Sequence, residues 1–108
     1  MKGSIILVNY NSSALLRQCL KSIYEQTKEI SFEIIVVDNA SSDNSREIVC
    51  SEFSNVQLIK SAENLGFSRG NNLGASLAKG TYLLFLNTDT ILFENSIKVL
   101  AGFLDKHP

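Results

Sequence analysis

The chain has 108 residues, of which 44% are hydrophobic and 19% are charged, and its formal net charge is −1. That length and composition fit one globular domain and exclude disordered and fibrous proteins. The near balance of acidic and basic side chains argues against nucleic acid as the main partner, because proteins that bind a phosphate backbone are usually basic. Apolar runs of four or five residues are too short for a transmembrane segment or a signal peptide.

Strand-like and helix-like segments alternate four times along the sequence. Apolar, β-branched runs predict buried strands, and apolar residues at helical spacing predict a helix after each strand. The strands are predicted at 4–8, 32–37, 56–59 and 82–86. The first helix is predicted to begin after a cap at Asn11 or Ser12, and the second to run from a cap at Ser42 or Asp43 to about Phe53. The third is predicted over 69–79, with Gly80 as its C-terminal cap. The fourth is predicted over 94–105.

This alternation predicts an α/β fold with a mostly parallel sheet and helices on both of its faces, because parallel neighbours need crossover connections. The pattern does not predict the order of the strands. Cys19 and Cys50 lack the spacing of a zinc site, and nothing in the sequence indicates an oxidising compartment. Both cysteines are therefore interpreted as small buried residues on helix faces.

Polar residues follow every predicted strand. In chain order, the segments that contain them are Asn9-Tyr10-Asn11, Asp38-Asn39, Glu63-Asn64-Leu65-Gly66-Phe67 and Asn87-Thr88-Asp89. Ligands of open α/β sheets bind at the carboxyl ends of the strands. Turns and helix caps also use Asn, Asp and Gly, and for any one of these segments that is the simpler interpretation. Because all four strand ends are polar, the sequence indicates a binding site at this edge.

Two familiar phosphate-binding loops are absent from the sequence, namely Gly-x-Gly-x-x-Gly after the first strand and a glycine-rich loop ending in Gly-Lys-Ser or Gly-Lys-Thr. A diphosphate would then be held through a divalent cation on a carboxylate, and Asp89 is placed for that role. Asp38 is placed to accept a hydrogen bond from a base or a ribose. Tyr10 could stack on a base, although an aromatic residue after a strand is as often part of the packing.

Four segments carry a resemblance to a known family. They read VNYN (8–11), VVDNASSDNS (36–45), NLGFSRGNNLG (64–74) and LFLNTDT (84–90). In this order and spacing they resemble the motifs of family-2 glycosyltransferases, most closely the rhamnosyltransferase-like group of bacterial polysaccharide enzymes. Each segment alone is weakly specific, but together they are specific and cover nearly the whole chain.

The resemblance implies a GT-A fold and transfer of a sugar, with inversion, from a UDP- or dTDP-sugar to a saccharide or lipid-linked acceptor in bacterial cell-surface polysaccharide synthesis. It implies that Mg²⁺ or Mn²⁺ is bound by Asp89, as in the family's Asp-x-Asp motif, and that Asp38 hydrogen-bonds the base. The nucleotide-binding residues that it implies are Asn9, Tyr10, Asn11, Asp38, Asn39, Asn64, Gly66, Asn71, Asn72 and Asn87.

The chain departs from the family pattern at two positions. Asn87 stands where many members have an aspartate, which leaves Asp89 as the anionic ligand; the same variant recurs in the rhamnosyltransferase-like group. Asn71 stands where many members have an arginine. Arg69 is close in sequence and is interpreted as a solvated surface residue.

No residue of the sequence is assigned as the general base that an inverting transfer requires. His107 is interpreted as a surface residue, Glu63 as a loop residue and Asp43 as a helix cap. The resemblance places the base and the acceptor site beyond Pro108, so residues 1–108 are predicted to be the donor-binding half of a domain that ends after its fourth strand–helix unit, and to bind nucleotide without transferring sugar.

Further expectations concern partners and location. The exposed edge of the sheet is predicted to pair with a second copy of the chain. The chain is expected in the cytoplasm, and the resemblance adds the inner face of the cell membrane.

Two alternative functions remain open from the residues alone. A sugar nucleotidyltransferase would carry a glycine- and arginine-rich loop after the first strand, which the segment from Asn9 to Ser13 lacks. A flavodoxin-like receiver or binding module would carry an acidic pair after the first strand and a phosphorylatable aspartate after the third. Those positions hold asparagines and Ser61-Ala62-Glu63.

Overall fold

Four strands and four helices alternate along the chain in the computed structural model, which describes residues 1–107. The predicted alternation is confirmed, although α3 begins at Gly66 rather than at Arg69. The elements are β1 (Gly3–Asn9), α1 (Ser13–Gln26), β2 (Phe32–Asn39), α2 (Ser45–Glu52), β3 (Gln57–Ser61), α3 (Gly66–Leu77), β4 (Tyr82–Leu86) and α4 (Ser96–Lys106).

The four strands form one parallel sheet in the order β3-β2-β1-β4. β1 is central: Ile5 lies opposite Ile34 of β2 on one side and opposite Leu84 of β4 on the other. The chain therefore adds β2 and β3 on one side of β1 and then crosses to the other side for β4. Open α/β sheets bind ligands beyond the strand ends at such a change of direction, which here lies between the loops that follow β1 and β4.

One face of the sheet carries the hydrophobic core. Side chains from β1 and β2 pack there against α1, α2 and α4. Each fully buried aliphatic side chain contributes about 1.5–3 kcal/mol to folding. The core residues are Ile5 and Leu7 of β1, Ile34 and Val36 of β2, Leu16, Cys19, Leu20 and Ile23 of α1, Val49 of α2, Val56 before β3, and Ile97 of α4.

The two cysteines differ in burial. Cys19 is buried in the core, as predicted, but Cys50 is exposed. The prediction for Cys50 is wrong because α2 turns Ile48 and Val49 inward, which leaves Cys50 on its outer side.

The other face of the sheet is covered by α3, which lies very close to β1 and β2. Gly70 and Gly74 make this approach possible, because a Cβ at Gly74 would lie 2.6 Å from Ile6 Cγ2 and one at Gly70 would lie 3.0 Å from the methyl groups of Val8. Helices thus lie on both faces of the sheet, as predicted.

The role predicted for Gly80 is wrong. α3 ends with Ala78 as its C-cap, and among residues 1–107 the glycine with positive φ is Gly66. Gly80 is needed instead for close packing, because a Cβ there would lie 2.6 Å from the backbone nitrogen of Ser4. Its N–H donates to Ser4 Oγ at 2.8 Å, and Ser4 Oγ donates to Glu33 at 2.6 Å.

β4 is a half-exposed strand, not the buried one that its sequence predicts. Leu84 and Leu86 pack against the core, whereas Leu83 and Phe85 are 43% and 48% exposed on the face where α3 lies over β1 and β2. None of the helices within residues 1–107 combines the length and the apolar character needed to cross a bilayer.

Candidate functional site

The carboxyl ends of the four parallel strands lie along one edge of the sheet, here called the strand-end edge and defined by Asn9, Asn39, Ser61 and Leu86. The residues predicted to bind a ligand lie at or just beyond this edge, or on the first turns of α3. Some of them are buried and bonded within the chain, and others are exposed.

The Asp38 carboxylate is buried at the end of β2 and fully engaged in hydrogen bonds. Its Oδ1 accepts from Asn9 Nδ2 at 2.9 Å and from Ser41 Oγ at 2.6 Å. Its Oδ2 accepts from the N–H of Ser41 at 3.0 Å and from Arg46 Nε at 2.6 Å. A carboxylate offers about four acceptor positions. A base N–H would therefore have to replace one of these donors to reach Asp38.

These contacts also fix the charge of Asp38. Burial alone would raise the pKa of its carboxyl group, but the hydrogen bonds from Ser41, Asn9 and Arg46 outweigh burial and hold the pKa below its usual value. Asp38 is therefore ionised at neutral pH, with the partly exposed guanidinium of Arg46 as its counter-ion. Arg46 is not among the residues that the sequence predicts to act at this site.

The loops after β1 and β2 are joined by side-chain hydrogen bonds. Asn11 Oδ1 accepts from the N–H groups of Ser42 at 2.8 Å and Asp43 at 3.3 Å. Asp43 accepts from the N–H of Ser13 at 3.1 Å and from the N–H of Ser45 at 3.0 Å, so its carboxylate serves the first turns of both α1 and α2. The N-cap of α2 is Asn44, one residue after the predicted Asp43, although the Asp43 side chain accepts from the first N–H of the helix. The N-cap of α1 is Ser12, one of the two predicted residues, and the side-chain oxygen of Asn11 instead bonds to the loop after β2.

Asn39 fixes the start of α3. Its Nδ2 donates to the carbonyl of Gly66 at 3.1 Å, and its Oδ1 accepts from the N–H of Leu65 at 3.4 Å. Asn64 Oδ1 accepts from the N–H of Gly66 at 2.9 Å, and Gly66 adopts a φ of +79°, which few other residues tolerate. This local geometry lets the helix begin at Gly66, and Asn39 itself is buried.

The residues considered on the first turns of α3 differ in their exposure to solvent. Asn72 and Arg69 are exposed, the latter as predicted. Asn71 is half-buried, and its Oδ1 has no hydrogen-bond partner among residues 1–107.

The loop after β4 carries Asn87 and Asp89 with both side chains exposed. The loop is anchored on α1, because Ser22 Oγ accepts from the N–H of Leu92 at 3.0 Å and the Cys19 thiol lies 3.9 Å from the carbonyl oxygen of Asn87. Burial, with a smaller contribution from the charge of Asp89, raises the pKa of Cys19 to about 11, so this thiol is neutral at physiological pH.

The donor set at this loop fits one kind of metal site. Asp89 offers a carboxylate and Asn87 an amide oxygen, and no group of three or more His, Cys, Asp and Glu side chains within residues 1–107 is arranged to hold a metal ion. Mg²⁺ often takes one or two protein carboxylates and completes its coordination with substrate phosphates and water. The residues therefore fit a cation shared with a diphosphate, but not one held by the protein alone.

Two exposed aromatic rings lie near the strand-end edge. Tyr10, predicted to stack on a base, follows β1 and is 52% exposed, and Phe67, in the first turn of α3, is 56% exposed. Exposed rings in a polar surround offer faces for stacking. Phe67 belongs to the segment that follows the third predicted strand, but no role was predicted for its ring.

A family model described as "Glycosyl transferase family 2" matches residues 4–108. The glycosyltransferase GlyG of Streptococcus pneumoniae is 36% identical over 101 residues, which cover 90% of this chain and 33% of GlyG. The poly(ribitol-phosphate) beta-N-acetylglucosaminyltransferase TarS of Staphylococcus aureus is 30% identical over 112 residues, which cover 99% of this chain and 19% of TarS.

The fold comparison agrees with the sequence comparison. The crystal structure of S. aureus TarS 1–349 in complex with UDP superposes with a TM-score of 0.90 at 29% identity, covering 99% of this chain and 33% of that one. The chain thus spans a third or less of the relatives named here. The predicted GT-A fold is confirmed, and the matches favour the glycosyltransferase interpretation over the two alternatives.

Proposed function

The chain belongs to glycosyltransferase family 2, and from that premise we propose that it binds the nucleotide of a UDP- or dTDP-sugar for an inverting sugar transfer in cell-surface polysaccharide synthesis. The observation that carries the proposal is the superposition of 99% of the chain, at a TM-score of 0.90, on a TarS chain in complex with UDP. Two relatives add support for the pathway: TarS acts on poly(ribitol-phosphate), and GgaB of Bacillus subtilis, 33% identical over 111 residues, is a minor teichoic acid biosynthesis protein.

At the strand-end edge, exposed residues contact the nucleotide and buried residues hold the loops in position. The exposed ring of Tyr10 stacks on the base, and the exposed side chains of Asn64 and Asn72 offer polar contacts to the nucleotide. The buried Asn9 and Asn39 hold the loops in place through the hydrogen bonds described above. Binding therefore meets a largely preformed surface, which reduces the entropy lost on association.

Asp89, with Asn87 beside it, holds Mg²⁺ or Mn²⁺ against the diphosphate. A cation bound there would supply positive charge that stabilises the departing diphosphate. Asp89 would provide the carboxylate ligand, and the hydrogen bond from Leu92 to Ser22 anchors the loop that carries Asp89.

Residues 1–108 are proposed to be the donor-binding part of the enzyme and to lack transfer activity alone. An inverting transfer needs a base on the acceptor side of the sugar. Asp38 and Asp43 are engaged in internal hydrogen bonds, and Asp89 is assigned to the metal, which supports a base supplied by another part of the protein.

Thermal unfolding with nucleotides tests this function. UDP or dTDP with Mn²⁺ should raise the midpoint by about 10 °C at a ligand concentration about 100 times Kd, whereas GDP and ATP should not. Asp89→Ala should abolish the metal-dependent part of the shift. Glu94→Ala, which removes another exposed carboxylate close in sequence, should leave it intact. No shift with any nucleotide, or sugar transfer by residues 1–108 alone, would contradict the proposal.

A further inference from the structure

Arg46 connects three elements beneath the proposed nucleotide site. It lies in the first turn of α2, its Nε donates to Asp38 Oδ2 at 2.6 Å, and its Nη2 donates to the carbonyl oxygen of Ser61 at 2.8 Å. Asp38 is next to the end of β2 and Ser61 is the last residue of β3. One planar guanidinium therefore fixes the distance between two strand ends, which a flexible point charge such as lysine cannot do.

The contact with Ser61 matters because the loop to α3 begins there. Ser61 Oγ donates to the carbonyl oxygen of Glu63 at 2.6 Å and starts the turn. Asn39 fixes the other end of the loop at Leu65 and Gly66. Arg46 and Asn39 thus hold the loop at its two ends, and between these ends lies Asn64, a residue proposed to contact the nucleotide.

The contact with Asp38 connects Arg46 to the loop after β1. The carboxylate that receives Arg46 Nε also accepts from Asn9 at the end of β1 and from Ser41 in the loop after β2. Ser41 Oγ in turn accepts from the N–H of Asn11, next to Tyr10. Arg46 is the charged donor among the partners of Asp38, so its removal would leave a buried carboxylate without a counter-ion.

We propose that Arg46 is a positioning residue for nucleotide binding, which acts by holding Asp38 and the end of β3 so that the loops after β1 and β3 are preformed. This inference rests on the proposed function. It assigns Arg46 no contact with the nucleotide, and it predicts that losing Arg46 weakens the binding of a nucleotide to a protein that is still folded.

The test measures UDP binding to the full chain by calorimetry in the presence of MnCl₂, well below the unfolding midpoint of each variant. Arg46→Gln should weaken binding by about tenfold or more, and Arg46→Lys, which keeps the charge but loses the planar fork, should lie between it and the wild type. The matched control is Arg17→Gln, which removes an exposed ion pair of the same 2.6 Å length, to Glu52, between α1 and α2. It should change the affinity by no more than about twofold.

A pH series separates positioning from a general loss of structure. Without the guanidinium, the buried Asp38 is more easily protonated, and its partners are the neutral Asn9 and Ser41. The ratio of wild-type to Arg46→Gln affinity should therefore grow from about pH 7 to about pH 5, whereas the ratio for Arg17→Gln should stay constant. Amide NMR shifts of residues 61–66 should move in Arg46→Gln and not in Arg17→Gln.

The outcomes distinguish the two proposals. If the wild type does not bind UDP with Mn²⁺, the proposed function fails. If the wild type binds and a folded Arg46→Gln binds within about twofold of it, the positioning role is wrong. If Arg46→Gln does not fold, Arg46→Lys decides the question. The positioning role of Arg46 is wrong if Arg46→Lys binds UDP as tightly as the wild type and leaves the amide shifts of residues 61–66 unchanged.

Discussion

The Asp38 carboxylate should be a major source of stability, because it is buried and accepts from four donors, which belong to β1, the loop after β2 and α2. Asp38→Asn keeps the size of the side chain but replaces one acceptor oxygen with a donor that faces other donors. The free energy of unfolding at neutral pH should fall by about 2–3 kcal/mol, as expected for lost hydrogen bonds to a charged group. Urea unfolding followed by circular dichroism measures this difference.

The same variant should show a pH dependence of defined sign. The pKa of Asp38 is lowered in the folded chain, so its stabilising contribution is present above the unfolded pKa of about 3.9 and is lost as the pH falls through the folded pKa. The stability difference between wild type and Asp38→Asn should therefore shrink below about pH 4. Asp105→Asn, at an exposed carboxylate bonded to Lys2 and Tyr82, should cost much less, and an equal cost would contradict the role given to Asp38.

The sequence could predict which residues meet at the strand-end edge, but not how each is used. Asn9, Asp38 and Asn87 follow strands, and parallel strands end at the same edge, so their proximity follows from the pattern. The partner of Asp38 could not be predicted, because Arg46 reaches it only when α2 takes its observed position over the sheet. Likewise, Asn11 contacts the loop after β2 from a backbone with a φ of +48°, which an asparagine permits but does not require.

At the scale of elements, α3 depends on two glycines that let it pack closely against the sheet. Gly74→Ala would place a methyl group 2.6 Å from Ile6 Cγ2, a buried and branched side chain that cannot move away freely. The free energy of unfolding should fall by about 1–3 kcal/mol, as for other overpacked cores. Thermal or urea unfolding of the single variant is the measurement.

A second helical glycine supplies the control for that change. Gly102 lies within α4, and a Cβ there would meet nothing within 4 Å. Gly102→Ala should therefore raise stability by about 0.5–1 kcal/mol, because alanine loses less backbone entropy in a helix. If both variants were equally stable, the close packing of α3 would not be the reason for Gly74.

The start of α3 could not be predicted from its local sequence pattern alone. The sequence predicts a start at Arg69 because Asn64 and Gly66 are typical loop residues. In the structure these residues lead directly into the first turn, since Asn39 from a neighbouring strand bonds to both Leu65 and Gly66. A contact between residues distant in sequence thus extends the helix beyond its local pattern.

At the scale of the whole molecule, the order β3-β2-β1-β4 leaves two different sheet edges. The edge strand β3 carries the exposed side chains of Gln57 and Lys60, and charged edge residues oppose pairing with another strand. The edge strand β4 has no charged residue from Tyr82 to Leu86, and its Phe85 is 48% exposed. The apolar pattern of β4 alone could not predict this exposure, because strand order decides which strand lies at an edge.

The sequence predicts that the exposed edge of the sheet pairs with a second copy of the chain, and this asymmetry favours β4 as that edge. Strand addition at an open edge gains backbone hydrogen bonds, and the apolar side chains of β4 add contact area. Phe85→Lys should therefore keep residues 1–108 monomeric at concentrations where the wild type self-associates, as measured by sedimentation velocity. Gln57→Lys, the same introduced charge on the β3 edge, should associate like the wild type. A monomeric wild type, or equal association of the two variants, would show that β4 is not the pairing edge. The reason is that an introduced lysine opposes association only when it lies on the surface that the second copy contacts.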